Sequence, residues 1–137
     1  MSEADALAFL SEMNDAPLFT PGKWVQLGIA ESETDRLVGD IGLFLSEDGF
    51  TGTVGFTLAL SAQGRGLATS AVRQAVQIFF RATSARQMQG ITDSRNAASI
   101  RLLERIGFQH HETRTAVFRG EKCSEKVYLL PRNDADQ

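Results

Sequence analysis

Between residues 61 and 66 the hydrophobic rhythm of the chain changes from the period of a strand to the period of a helix, and this change limits the fold more than any single residue does. Before it, Trp24–Ala30, Leu37–Leu45 and Thr51–Leu60 read as three strands, separated by a polar turn at Glu31 to Arg36 and by Glu47-Asp48-Gly49. After it, Leu67, Ala71, Val72, Ala75, Val76, Phe79 and Phe80 recur at helical spacing, with Arg73, Gln74, Gln77 and Arg81 opposite them. That pattern predicts a helix of about fourteen residues. Met88–Thr92 reads as a short strand and Ala97–Ile106 as a second helix, ended by Gly107 in the left-handed conformation. Phe108–Phe118 and Lys126–Leu130 close the series as strands around a turn at Gly120, before a polar tail, Asn133 to Gln137, expected to fray. Upstream, Ser2 and Asp5 resemble a helix start and Ala6, Leu7, Leu10 and Met13 keep helical spacing, so a helix is expected from residue 2 to about Asn14, ahead of the breaks at Pro17, Pro21 and Gly22. The order predicts one α/β (α+β) domain over residues 1–137, with a central mixed, mostly antiparallel sheet flanked by helices.

Composition excludes several classes of partner. A chain of 137 residues, 42% apolar and 23% charged, is sized and composed for one folded core. Its 14 basic and 17 acidic residues form no phosphate-tracking cluster, so no nucleic-acid partner is expected. The lone Cys123 closes no disulfide within the chain and builds no thiolate zinc site, which suggests a reducing cytoplasm and no metal. Glu3, Asp5, Glu12 and Asp15 are unlike a signal peptide, and no run nears the ~18 apolar residues of a spanning helix. A soluble chain with no membrane partner is the expectation.

The stretch that carries chemistry is Gln63-Gly64-Arg65-Gly66-Leu67-Ala68, set between a strand and the longer helix. Its glycines permit a tight turn and close approach of a ligand, and the helix start offers free N–H groups at the positive end of the helix dipole. Such a cradle suits a pyrophosphate, although a tight strand-to-helix turn needs glycine for its own sake. A phosphate-binding Walker loop is excluded because Gly66 precedes Leu67-Ala68 rather than Lys-Ser/Thr, and the dinucleotide spacing G-x-G-x-x-G is absent from this turn.

Gln63, Gly66 and Ala68 match the Q/R-x-x-G-x-G/A signature of the GNAT superfamily of acyl-CoA-dependent N-acyltransferases, and this half of the chain resembles that family. Residues Asp93 to Phe108 are similar to the N-x-x-S-x-x-L-x-E-x-x-G-F segment of its RimJ/RimL-like branch, with Asn96, Ser99, Leu102, Glu104, Gly107 and Phe108 on the motif positions. The resemblance spans Trp24 to Leu130. It implies a GNAT-like fold and transfer of an acetyl group from acetyl-CoA to a primary amine, either a protein N-terminus or a small molecule. It further implies that backbone groups of Leu58, Ala59 and Leu60 pair with the pantetheine arm in a gap between splayed strands. Gln63, Gly64, Arg65, Gly66, Leu67, Ala68 and Thr69 would hold the pyrophosphate, with the adenine end near Arg65. Asn96 would contact the pantetheine amides and Ser99 the sulfur, making Ser99 the catalytic candidate. The competing reading makes Asn96, or Asp93, simply an N-cap.

The chain also departs from the family pattern. Many members place a tyrosine general acid one residue beyond the Leu102 position, where this chain has Leu103, and Tyr128, in the last strand, suits a core role. The glutamate often found before the strand glycine is Val54, ahead of Gly55. Asp40, His110, His111 and Glu112 are then the polar groups near strands, each more readily structural or solvated than catalytic. Family members usually have another strand and helix before residue 2, so the domain reads as N-terminally shortened. That would leave Trp24–Ala30 as a sheet edge covered by the N-terminal helix or by a second subunit in a homodimer. These departures keep open a non-catalytic acyl-CoA-binding regulatory module, and, were both motifs coincidental, a structural domain without CoA.

Overall fold

The computed structural model describes residues 10–12, 19–30, 37–58 and 66–132. Its elements in chain order are β1 (Leu10–Glu12), β2 (Trp24–Ala30), β3 (Leu37–Leu45), β4 (Thr51–Leu58), α1 (Leu67–Ala82), β5 (Gln87–Asp93), α2 (Ala97–Ile106), β6 (Gln109–Phe118) and β7 (Glu121–Pro131). The strands form a seven-stranded sheet in the order β1-β2-β3-β4-β5-β7-β6. Neighbours run antiparallel except β4 and β5, which are parallel and joined through α1. A parallel pair needs such a crossover, and the amphipathic run from Leu67 supplies it.

Alternation of side chains across the sheet shows where the helices lie. Gly52 pairs with Met88 and Val54 with Gly90, so all four residues share one face. A Cβ on Gly52 would meet the Phe79 ring of α1 at 2.6 Å, and one on Gly90 would meet Leu103 of α2 at 2.8 Å. Both helices therefore pack on the same face, and the two glycines are the backbone positions that let them approach. The core lies between: Ile41, Leu43, Phe79, Phe80, Met88 and Leu103 are all essentially inaccessible to solvent. Burying side chains of this size contributes about 1.5–3 kcal/mol each. The other face carries Asp40, Gly55, Thr57 and Gln26 in the open, together with Trp24, which is 51% exposed.

Three local expectations change. The expected helix from residue 2 gives way at Leu10–Glu12 to a strand paired with Leu27–Ile29, and the rest of that segment lies outside the described residues. Satisfying main-chain groups along the edge of β2 outweighs a local apolar period there. Consequently β2 is not the outer strand among the described residues, and of the edge argued to need a partner subunit β1 leaves Trp24–Gln26 and Ala30 unpaired. The last strand begins at Glu121 rather than Lys126, because Arg119 and Gly120, both with positive φ, make a two-residue hairpin turn that pairs Phe118 with Glu121.

Candidate active site

The parallel pairing of β4 with β5 stops short. It runs from Thr51↔Gln87 to Val54↔Gly90 and is reinforced by Gln87 Nε2 donating to Thr51 Oγ1 (3.0 Å) and Gln89 Nε2 to Thr53 Oγ1 (2.9 Å). Beyond Val54, Gly55 to Leu58 pair with β3 alone, while Ile91 to Asp93 pair with β7. The two strands splay, and one row of main-chain groups on β4 faces the gap without a strand partner among the described residues.

Opposite this gap stands the start of α1. Gly66 occupies the N-cap with φ 75° and ψ 0°, and no side chain caps the helix. The first α-helical bond runs from the Ser70 N–H to the Gly66 carbonyl, so the N–H groups of Leu67, Ala68 and Thr69 belong to the turn that has no intrahelical acceptors. A Cβ on Gly66 would meet nothing within 4 Å, so space lies open above the turn.

The start of α2 is built differently. Asn96 is its N-cap and accepts the Ser99 N–H through Oδ1 (3.1 Å), while Ile100 N–H bonds to the Asn96 carbonyl. The capping reading of Asn96 therefore holds. The amide of Ser99 is occupied, leaving its hydroxyl as the group it can offer. The preceding turn is held by Asp93, whose carboxylate accepts the Arg95 N–H (2.8 Å) and both Nε and Nη2 of the same arginine (3.0 Å each). The Arg95 side-chain hydrogen bonds, then the Arg95 backbone N–H, pull the Asp93 carboxyl down to about 2.

Between the gap and the two helix starts lies an open cleft of about 820 Å³ lined by Phe56, Thr57, Gly66, Leu67, Ala68, Thr69, Asn96, Ala98, Ser99, Arg101, Leu102 and Arg105. Its volume is in the range of small-molecule sites. Two arginines and no acidic residue are among the lining residues, although the chain carries a net charge of -3. The cleft is thus a locally positive place on an acidic protein, suited to an anion.

Of the residues singled out in the sequence, Gly66, Leu67, Ala68, Thr69, Asn96 and Ser99 come together on this cleft. Leu58 lies at the end of β4, in the splayed stretch. Ala59, Leu60, Gln63, Gly64 and Arg65 lie outside the described residues. Phe56, Thr57, Arg101 and Arg105 line the cleft and were not singled out. The signal for the arginines was available, because residues 98, 101, 102 and 105 repeat at the spacing of one helical face.

The positions where the family pattern breaks point away from the cleft. Leu103 is 1% exposed and packs over Gly90, and Val54 is buried under the helices, so neither side chain reaches a ligand there. Tyr128 is buried edge-to-face against His110 (centroids 5.5 Å), and burial, followed by the Glu104 charge, pushes its phenol up. His110 bonds Thr113 (2.9 Å), and Glu112 lies 4.0 Å from Arg114, both on β6, at the far end of the sheet from β4. Asp40 differs: it accepts a 2.7 Å hydrogen bond from Thr57, a cleft-lining residue. No group of three or more metal-ligating side chains occurs among the described residues.

The profile of the "Acetyltransferase (GNAT) domain" family matches residues 1–109, a match that takes in the segment before Trp24 and ends at the first residue of β6. "Probable N-acetyltransferase YjcK" of Bacillus subtilis (strain 168) is 34% identical over 83 residues, covering 59% of this chain and 46% of the relative, so the chain matches about half that protein's length. Among solved structures, Mycobacterium smegmatis RimJ in complex with CoA-disulfide superposes with a TM-score of 0.76 at 18% identity, covering 85% of this chain and 56% of the other. The ribosomal-protein-S5-alanine acetyltransferase of Vibrio fischeri gives a TM-score of 0.73 at 18% identity, covering 81% and 63%. At those identities the structures speak to fold alone. With the family profile matched over most of its length, the chain belongs to the GNAT acetyltransferase domain family.

Proposed function

We propose that the chain transfers an acetyl group from acetyl-CoA to a primary amine. One observation carries this reading: the gap between β4 and β5 beyond Val54↔Gly90 opens onto the same cleft as the uncapped, glycine-led start of α1. A thioester carried on a long amide-containing arm with a pyrophosphate matches both features. Main-chain groups of β4 from Gly55 to Leu58, continuing toward Ala59 and Leu60, would pair with the arm. The N–H groups of Leu67, Ala68 and Thr69 would take the pyrophosphate. Arg101 and Arg105, one turn apart on α2, add charge for the remaining phosphate.

Acyl transfer needs the carbonyl polarised, the amine positioned and the thiolate stabilised as it leaves. Backbone N–H groups on the splayed part of β4 would serve the first need. The Ser99 hydroxyl, whose own amide is committed to Asn96, would serve the third by donating a hydrogen bond to the sulfur. A serine is far too weak an acid to give up its proton, so Ser99 stabilises rather than protonates. The Asn96-x-x-Ser99 pair supports placement in the RimJ/RimL-like branch. A homodimer retains as support, among the described residues, Trp24–Gln26 and Ala30 of β2, which β1 does not cover.

A second reading, an acyl-CoA-binding module without turnover, is favoured by Leu103 and Val54, both buried where many relatives carry acid and base. CoA release measured with acetyl-CoA and a panel of primary amines separates the two. Release that depends on the amine is the outcome for an enzyme. Tight acetyl-CoA binding with no release on any amine is the outcome for the module.

A further inference from the structure

The face of the sheet opposite the helices holds a feature that the cofactor cleft shares only at Thr57. On that face Asp40 sits directly across from Thr57, and two residues back along each strand Gly42 sits across from Gly55. Gly55 is exposed, with nothing within 4 Å of where its Cβ would be, and it lies at the first position where β4 has lost β5. It therefore floors a trough that communicates with the gap between the splayed strands. One end of the trough is closed by the Thr53–Gln89 side-chain pair. The other end is the Asp40 carboxylate, held by the Thr57 hydroxyl at 2.7 Å. Thr53 and Thr57 stand roughly 13 Å apart at the rise of an extended strand, room for an amine and a few attached carbons. On the β3 side the Trp24 ring leans over Gly42, where a Cβ would meet it at 3.3 Å, and it packs against Phe44 with centroids 5.1 Å apart. Trp24 is half exposed although it is a large aromatic.

A carboxylate, an indole face and an open main-chain floor are the elements that bind an organic ammonium ion: the charge pairs with the carboxylate and the adjoining carbons lie on the ring. We infer that Asp40 and Trp24 form the recognition site for the acceptor, a cationic primary amine presented to the gap from the face opposite the cofactor cleft. The inference rests on the acetyl-transfer reading for its place in a reaction, and on this face of the sheet for its chemistry. Asp40 is a specificity residue in this account. It selects and orients the ammonium, whose proton passes to solvent across the open face before the nitrogen attacks.

Trp24 is the single tryptophan of the chain, so its fluorescence reports this site directly. The protein is titrated, with and without saturating CoA, with n-butylamine and an unblocked alanyl tripeptide amide, and with the N-acetylated form of the same peptide. CoA affinity is measured separately by calorimetry. Asp40→Asn keeps an acceptor for the Thr57 hydroxyl while removing the charge, and Glu121→Gln, at the β6–β7 turn, is the control for net charge. The expected result is a Trp24 response to at least one of the cationic amines and none to the blocked peptide. Asp40→Asn weakens that affinity about tenfold, the scale of one partly exposed charged hydrogen bond, and in turnover raises KM rather than lowering kcat. Glu121→Gln leaves the affinity unchanged, and CoA affinity is the same in every variant. Equal amine affinity in Asp40→Asn, an equal response to the blocked peptide, or no Trp24 response to either cation overturns the inference. Amine binding without CoA binding overturns the acetyl-transfer reading instead and leaves the ammonium site standing.

Discussion

The two helices that meet at the cleft begin in opposite ways. At α2, Asn96 turns its side chain onto the Ser99 amide, and Asp93 and Arg95 lock the turn before it, so the helix start is complete within the protein. At α1, Gly66 has no side chain to offer, adopts a left-handed conformation, and leaves the first-turn amides facing an open, positively lined cleft. A helix start normally gains about 1 kcal/mol from a capping side chain. The start of α1 forgoes that stabilisation where an anion could replace it, whereas α2 keeps it and offers the cleft only the Ser99 hydroxyl and side chains further along.

Breaking the α1 side of this contrast should have the largest effect. Gly66→Val places a β-branched residue at φ 75°, so the helix start must distort even though the space above is free. Losing alignment of two charged hydrogen bonds to a pyrophosphate corresponds to at least about 100-fold in CoA affinity, read by calorimetry, with the folded far-UV spectrum retained. Next comes Ser99→Ala, expected to lower the single-turnover rate by about 10-fold or less with CoA affinity nearly unchanged. An unaltered chemical step would remove the sulfur contact from the account.

Asn96→Ala tests the α2 side and should act chiefly on stability, by ~1 kcal/mol and a few degrees of Tm, because the cap is lost. A fall in CoA affinity without a fall in Tm would show Asn96 serving the ligand rather than the helix. The smallest effect concerns Asp93. Its carboxyl is depressed to about 2 by Arg95, so the contribution of this clamp is present above the ordinary carboxylate range and is lost as pH falls toward 2. Arg95→Ala should return the Asp93 titration, followed by carboxyl NMR, toward the usual range near 4, with little change in activity at neutral pH.

The same contrast explains what was legible in the sequence. Strands β2 and β3 and helix α2 have the bounds their periodicity predicts, because burial on one face writes itself into residue spacing. Gly107 likewise ends α2 in a left-handed conformation at φ 117°. The motif residues Gly66, Ala68, Asn96 and Ser99 do converge on one cleft. What stayed hidden depends on distant partners. Three residues at Leu10–Glu12 are too short to show a strand period, and their pairing with β2 is a tertiary event. The importance of Asp40 rests on its register with Thr57, seventeen positions away, which nothing local reveals. The splay itself is the absence of pairing beyond Val54 and leaves no mark on spacing.

The central claim is that the uncapped start of α1 and the splayed strands form one acetyl-CoA site, and thermal unfolding with and without acetyl-CoA tests it most directly. A ligand bound only by the folded state stabilises it by about 2.7 kcal/mol at 100 times its Kd. The account predicts a rise in Tm of several degrees with acetyl-CoA, abolished in Gly66→Val. An unchanged Tm at millimolar acetyl-CoA, or an equal rise in Gly66→Val, would contradict it.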